Sequence, residues 1–546
     1  LAVDAVRRWA WVSVLALVLG FAAGWFTMLA AGGAGPFAVM LAGLAVLGIG
    51  VPALRLVPDH AGAMLAESLM ARGKGDWPIF PTRLAAGSVL AASVSLAILP
   101  TATGGASMLA FLMLILLVMM LAIWAAPARA LADLTVIPAA AFLARLAMEG
   151  LDHGPLWSEF SAQNILSRAP ETSAPVTAGV LLALATVGSL AAAWRSFRGD
   201  TYPAFWAAGA TLFAPVTALV LELLWQPSLV IGAYPWALHV IALAVLTGVL
   251  AERFARADGE DRRRAAYATL SCLSLIALAL FLVTTKGALT VALAVLLVVA
   301  AVLDRRFRLP EMGWFIQAGV LVLGWRLIAD PGLGWAFDGA LWEVILAFAA
   351  AIIGMLTALM VLKPMDRRAP AVFLESGVAA YAAIFVNVML TRWITDRLGD
   401  EWVGTYWSIS LNAMPWVVLM LVQLYRMQLG GWMVWVRRAI AAVGALLGLG
   451  GLALAAGPAN PLLALFGQEA SGRVHGPLIL DTLFIAYALP AALLIAAAVR
   501  MPHLARWMRL GLTGIGAALG ILYAALEIRR FWQGDLLSVP GVTQPE

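Results

Sequence analysis

Apolar residues along this chain come in long blocks rather than in strict alternation. A helix needs about 20 mainly apolar residues to cross a hydrocarbon core, and blocks of that length recur from Trp9 to Trp532, parted by short polar or glycine- and proline-bearing turns. The pattern predicts spans at roughly 10–30, 35–55, 83–100, 105–126, 130–148, 175–194, 203–224, 229–251 and 264–284. Further spans are predicted at roughly 287–303, 311–328, 339–362, 371–391, 403–425, 432–455, 475–498 and 504–526. The expected fold class is all-α, a polytopic transmembrane helical bundle of about 17 spans. Pro138 and Arg145 interrupt the fifth segment and make it the least regular. Two stretches fall outside the blocks. Residues 59–73 read as an amphipathic helix with Met64, Leu65 and Leu69 toward the headgroups, and residues 149–174 form the longest loop, with a short helix around Leu156–Leu166.

Composition sharpens this picture. The chain is 63% hydrophobic and 12% charged, with a mean hydropathy of +0.94, whereas soluble domains carry about 25% charged residues. Most of this apolar surface therefore has lipid as its solvent. The net charge of +5 does not point to nucleic acid, because the basic residues sit in short clusters between apolar runs and build no continuous basic face. Clusters at Arg55–Arg83, Arg195–Arg198, Arg253–Arg264, Arg305–Arg308, Lys363–Arg368, Arg426–Arg438 and Arg500–Arg509 fall in alternate loops. That is the positive-inside pattern, with the N-terminus cytoplasmic, the intervening loops outside and, for an odd number of spans, the C-terminus outside. Arg7 and Arg8 before an apolar stretch resemble a signal peptide, but a second apolar run follows directly after Gly32–Pro36, so a first helical hairpin is expected instead.

From about residue 195 the pattern repeats every 55 to 70 residues or so, the length of two spans and their loops. A basic cluster leads, often through a proline (Pro203, Pro310, Pro370, Pro502), into a helix, a short outer turn and a returning helix. The bundle is accordingly expected as successive helical hairpins. Its organisation reads as 1–174, the N-terminal helices with the 59–73 segment and the 149–174 loop, and 175–546, the repeated hairpins.

Candidate chemistry is sparse. The one cysteine, Cys272, lies inside an apolar run and can form no disulfide within the chain. His60, His153, His239, His475 and His503 have no metal-ligand spacing, and no zinc-protease, phosphate-loop or nucleophile-elbow motif is present. No cofactor is expected, and enzymatic activity is not indicated. Gly444 with Gly448, and Gly516 with Gly520, stand four apart and suit close helix packing. Trp9, Trp11, Trp194, Trp314, Trp432 and Trp435 on one side, and Trp225, Trp325, Trp335, Trp342, Trp402 and Trp532 on the other, read as aromatic belts.

Charge is expensive in lipid, so ionisable and strongly polar groups in or near spans mark candidate sites. Glu222, His239, Arg326, Asp330, Glu343, Asn387, Asp481 and Glu527 form the candidate set. Arg326 and Asp330, four apart, are expected to pair, with Glu343 able to join them. His239 follows Pro235, whose ring removes a backbone donor that a nearby polar group can replace. Two readings stay open for the set: groups that pair or snorkel to the headgroups, or the wall of a polar cavity opening outward.

The hairpin segments carry a resemblance. Trp225-Gln-Pro-Ser, Tyr234-Pro-Trp-Ala-Leu-His, Leu250-Ala-Glu-Arg, Leu303-Asp-Arg-Arg-Phe-Arg-Leu-Pro, Trp325-Arg-Leu-Ile-Ala-Asp-Pro and Leu526-Glu-Ile-Arg-Arg-Phe-Trp-Gln-Gly resemble the bacterial domain-of-unknown-function 2339 family of predicted membrane proteins, mainly over residues 175–546. The resemblance implies a many-helix protein of the bacterial inner membrane, without an assigned activity. It also implies further helices, at least one more hairpin beyond Glu546. The leading functional expectation is a transporter or lipid- or polymer-handling protein with an outward-facing polar site. A structural or assembly subunit is the second. A transferase on a lipid-linked substrate is the third, disfavoured because the first turn, Ala31–Pro36, carries no acid or base. Membrane lipids are the expected partners, other membrane proteins are further candidates, and nucleic acid is excluded.

Overall fold

The structure is a computed structural model that describes residues 9–55, 63–70, 76–124, 129–169, 172–198, 202–429, 431, 433–463 and 472–538. It is all-α: among the described residues the only strand-like pairing is an isolated antiparallel bridge between Arg473 and Leu536. By packing the chain divides into two compact units, Leu1–Thr284 and Thr285–Glu546. Neither hydropathy nor the 149–174 loop marks that point.

The first unit contains α1 (Ala10–Ala31), α2 (Ala34–Arg55), α3 (Leu65–Met70), α4 (Phe80–Ile98) and α5 (Gly104–Trp124). A 3-10 stretch, Arg129–Thr135, leads into α6 (Val136–Leu151), followed by α7 (Pro155–Ser161), α8 (Thr177–Arg198) and α9 (Pro203–Val220). α9 continues as a π turn, Leu221–Trp225, before α10 (Pro227–Val230), α11 (Ala233–Asp258) and α12 (Arg263–Val283). The second unit holds α13 (Lys286–Phe307), α14 (Met312–Ile328), α15 (Gly332–Asp338), α16 (Leu341–Leu362), α17 (Arg368–Leu398), α18 (Tyr406–Arg426) and α19 (Val434–Ala456). A second π turn, Phe484–Ala488, opens α20 (Leu489–Arg500), and α21 (Arg506–Gln533) completes the unit.

Among the described residues fifteen helices are long and apolar enough to cross a bilayer, and sixteen if one bent pair counts as a single span. Two expected segments fall short, each for a local reason. α14 bends by 53° into α15, and the expected span 475–498 is helical only from Thr482, because Gly476 and Pro477 break it and the residues before Thr482 form a loop. The irregular fifth segment is a span, Ala130–Leu151. α7 is the short helix expected in the 149–174 loop.

The amphipathic 59–73 segment differs from its expectation. Residues 59–62 and 71–73 lie outside the described residues, as do the chain's last residues, and only Leu65–Met70 is helical. Met64 and Leu65 pack against buried clusters of the first unit rather than facing headgroups. The Ala66 N–H donates to Asp133 (2.6 Å) and the Ser68 hydroxyl to the Asp76 carbonyl (2.8 Å), so polar partners fold the segment inward.

Hairpins are present, but their register differs from the sequence expectation. The closest sequential pairs are those joined across the basic loops, α8 with α9, α11 with α12, α13 with α14, α16 with α17, α18 with α19 and α20 with α21. Across the opposite turns α14 with α16 and α9 with α11 touch far less, whereas α17 and α18 pack about as closely as α16 and α17. Small residues explain one of these pairings. A Cβ on Gly448 would lie 2.7 Å from the Val417 backbone nitrogen, and one on Gly444 2.9 Å from the Trp416 carbonyl oxygen, so α19 approaches the backbone of α18 as only glycine allows. Gly516 abuts the Ala491 carbonyl in the same way, at 3.0 Å, whereas Gly520 makes only an ordinary contact. At the α11–α12 loop the Arg264 guanidinium is paired with Asp258, donates to the Ser196 carbonyl (2.6 Å) and lies over the Phe254 ring, clamping α8, α11 and α12 together.

The surface is that of a membrane protein. Large apolar side chains such as Phe26, Leu212, Leu446 and Ile521 are exposed along the spans, which lipid accepts and water would not. Trp9, Trp11, Trp314, Trp325, Trp342, Trp435 and Trp532 are exposed near helix ends, as an aromatic belt requires. Trp225 is a correction: it is buried, and its indole N–H donates to the Leu146 carbonyl (3.0 Å) inside the first unit. Trp432 lies outside the described residues.

Candidate functional site

The polar candidates do not gather into one site. Glu222 and His239 belong to the first unit and the other six to the second, where they fall into separate groups.

Glu222 sits in the first π turn and accepts a hydrogen bond from the Ser228 hydroxyl (2.5 Å). Its other oxygen and the Trp236 indole N–H are both buried without a hydrogen-bond partner. His239 is exposed, its Nδ1 lies 2.8 Å from the Pro235 carbonyl oxygen one turn back, and its Nε2 edge lies against Gly179 of α8.

Arg326 is buried near the end of α14, donating to Asp330 (2.7 Å) and to the Lys286 carbonyl (3.1 Å). Glu343, half-buried at the start of α16, makes no ion pair among the described residues, so the expected three-residue cluster reduces to a pair. Arg392 donates to the Ala336 and Gly339 carbonyls at 3.0 and 2.9 Å, closing the end of α15. Asn387 reaches from α17 to the Asn412 carbonyl on α18 (2.8 Å), and Ser376 meets Gln423 across the same pair. These bonds hold helices that contain Pro415, whose missing N–H leaves a carbonyl to be satisfied elsewhere.

Asp481 and Glu527 are different. Asp481 pairs with Arg530, and Glu527 stands one helical turn before it; sequence reasoning left Arg530 without a role although it lies in the Leu526–Gly534 motif. Arg530 is 5% exposed and donates to Asp481 (2.6 Å), to Asp535 (2.8 Å) and to the Gly476 carbonyl (2.6 Å). Helical spacing explains the selection: Glu527 and Arg530 share a face of α21, while Arg529 points away and is exposed. Asp481 also accepts the Phe484 N–H (2.8 Å), anchoring the start of the second π turn. Such turns inside α-helices occur frequently at functional sites.

The loop before this turn is built around the same residues. Gly476 has φ +109°, and a Cβ there would lie 3.0 Å from the Asp481 backbone, so a side chain is excluded. Ile479 has φ +76°, costly for a β-branched residue. It is held by its N–H to Glu527 (2.7 Å) and by the Tyr523 hydroxyl on its carbonyl (2.8 Å). The second Glu527 oxygen is buried without a partner. Deeper, Tyr406 and Tyr487 stack at 6.1 Å, and the Tyr406 hydroxyl is 2.5 Å from that of Thr482.

Above the cluster lies a cavity of about 580 Å³ lined by Arg473, His475, Gly476, Gln533 and Asp535. Its rim is fixed by the Arg473–Leu536 bridge and by the Val474 N–H to the Asp535 carbonyl (2.8 Å). The His475 ring packs edge-on against Trp402 at 5.0 Å. A guanidinium, an imidazole and a carboxylate thus face one space, supplying both donors and acceptors to a polar group, while the Gln533 amide is held by Arg529 and the Leu536 carbonyl. Among the described residues no group of three or more His, Cys, Asp or Glu side chains is arranged to hold a metal ion.

A fold of long apolar helices with charges confined to their ends and to enclosed pairs defines a polytopic α-helical membrane protein. The chain belongs to the DUF2339 family of predicted membrane proteins, whose model matches residues 1–544. The match extends through the first third of the chain, where the resemblance read from motifs was weak. Comparison with curated proteins and with solved structures returns no match.

Proposed function

We propose that this protein binds a hydroxyl-rich polar group, carried by a solute, a lipid or a polymer end, in the cavity above Arg530, and that it belongs to the transporting or lipid- and polymer-handling proteins of the bacterial inner membrane. The carrying observation is the mixed donor and acceptor wall of Arg473, His475, Gln533 and Asp535 over a buried arginine already neutralised by carboxylates. With Arg530 satisfied from below, the Arg473 guanidinium, the His475 ring and the exposed Asp535 carboxylate are the wall groups placed to meet a ligand. Hydroxyl groups suit such a wall because each both donates and accepts.

The basic loops support an orientation with this cavity on the outer side and the N-terminus cytoplasmic. In a Cys272→Ser background, single cysteines at Asp152 and Trp335 are expected to react with an impermeant maleimide from outside, and those at Arg263 and Arg306 only after permeabilisation. Labelling at 263 from outside reverses the orientation.

Binding is tested by extracting the full chain with its lipids into polymer-bounded discs and identifying retained molecules by native mass spectrometry. A retained polyol or sugar that is lost in an Arg473→Ala/His475→Ala variant of unchanged thermal stability supports the reading. Equal retention in both proteins overturns it, and an empty site in both favours a structural subunit.

A further inference from the structure

We propose a second binding site, for the phosphate diester of an anionic phospholipid, in the second unit where α16, α17 and α18 end together. A cavity of about 540 Å³ is lined there by Lys363, Arg367, Arg368 and Arg426 together with Asp366 and Glu375. Four cations thus face two carboxylates. The outer partners do not alter that balance, since Asp304 neutralises Arg367 (2.9 Å) while Arg437 adds its charge on Glu375 (2.9 Å). An excess of two positive charges remains at the cavity.

The arrangement is built. Glu375 is shared by Arg426 (3.3 Å) and Arg437, and Arg437 is itself 4% exposed, so a buried guanidinium holds the carboxylate back and leaves Arg426 half-satisfied at the wall. Asp304, fully buried, fixes Arg367 through two hydrogen bonds, at 3.0 and 2.9 Å. Lys363 is exposed and makes no ion pair among the described residues, and Arg368 meets only the exposed Asp366. These are the mobile cations able to close on a phosphate.

The rest of the wall selects the source of that phosphate. Leu359, Met360 and Leu362 line the same cavity, and Met360 is 68% exposed on the lipid-facing side of α16. An apolar wall leading up to a basic rim matches an acyl chain leading up to its headgroup, the form taken by basic pockets between spanning helices that hold acidic lipids. A free phosphate would use the rim and leave the apolar wall bare. The inference does not depend on the cavity above Arg530.

The test uses the full chain in nanodiscs of phosphatidylcholine with increasing phosphatidylglycerol, reading tightly held lipid by native mass spectrometry after delipidation. Lys363→Gln/Arg368→Gln is expected to lower retained phosphatidylglycerol about 25-fold, at roughly fivefold for each of the two cations removed near an anionic headgroup. Lys363→Arg is expected to retain it. The exposed Arg500, outside the cavity, serves as the control. Equal loss in Arg500→Gln would mean general attraction of basic loops and overturn the site. Displacement by millimolar inorganic phosphate would assign the cavity to a soluble anion instead, and also overturn the proposal. Because Lys363 and Arg368 are exposed, an unchanged melting temperature is expected to accompany the loss.

Discussion

Each unit buries an arginine near a carboxylate, and the two are solved in opposite ways. Arg145 on α6 is 3% exposed and donates to the carbonyls of Leu96 (2.8 Å) and Leu99 (3.1 Å), where α4 ends without its own cap, and to the Ser107 hydroxyl (2.9 Å). Its carboxylate, Glu149, stands 3.9 Å away and is satisfied by Ser107 and by the Leu156 N–H, so the two charges share partners more than they touch. Arg530 is as deeply buried, but two carboxylates bind it directly, and one of them, Asp535, is 64% exposed on the wall of a polar cavity. The first network closes a helix end, and the one donor it leaves over, the Arg145 Nε, is enclosed within the fold. The second leaves donors and acceptors facing open space. Buried charge by itself therefore does not distinguish a fold element from a site; whether polar groups around it face an open cavity does.

The comparison can be broken in four places. Arg145→Leu strips the end of α4 and leaves Glu149 buried without its cation, an expected loss of about 3–5 kcal/mol. Detergent-solubilised protein should melt far lower or fail to accumulate, and a normal melting curve would show that Arg145 is not structural. Asp481→Asn is the matching change in the second unit. It keeps the shape but weakens the charge-assisted bond to Arg530, costing about 1.5–3 kcal/mol, and smaller than the first because Asp535 still neutralises the guanidinium. Equal losses for the two changes would erase the distinction between closed and open networks.

Arg326 is the intermediate case, with a backbone carbonyl on one side and an exposed carboxylate on the other. Arg326→Leu is expected to cost about 1–3 kcal/mol, against a change within about 0.5 kcal/mol for Arg397→Leu, which is exposed. Comparable melting shifts would place Arg326 among the solvated charges. The smallest effect belongs to Asp535→Asn. At this exposure the stability change should stay below about 1 kcal/mol, while retention of the molecule bound above Arg530 should fall. A variant that loses stability but keeps its ligand would move Asp535 from the site into the fold.

The helices were legible one at a time. Spans are set by the run length of apolar residues, because lipid offers backbone groups no partner and forces them into helix. The Arg326–Asp330 pair was legible too, since four residues along a helix bring two side chains onto one face. The fifth span looked irregular because of Pro138, which falls in the first turn of α6, and because Arg145 was judged without its hydrogen-bond partners, which come from residues 38 to 49 positions away. Arg530 was overlooked for the same reason: Asp481 lies 49 residues earlier, and nothing in the intervening sequence announces the contact.

The sequence by itself determined the class of the protein, the approximate extent of its helices and the ends at which its charges collect. The solvent dictates these through local hydropathy, one segment at a time. Only the tertiary structure decided which helices pair, with the basic loops rather than the opposite turns joining the tightest hairpins. It alone decided that Glu343 stands apart while Asp481 meets Arg530 and Glu527 holds the Ile479 backbone. In lipid the hydrophobic effect does not choose among apolar faces, so helix partners are selected by small-residue packing and by polar bonds between distant segments. Those pairings depend on three-dimensional proximity, which a hydropathy pattern does not encode.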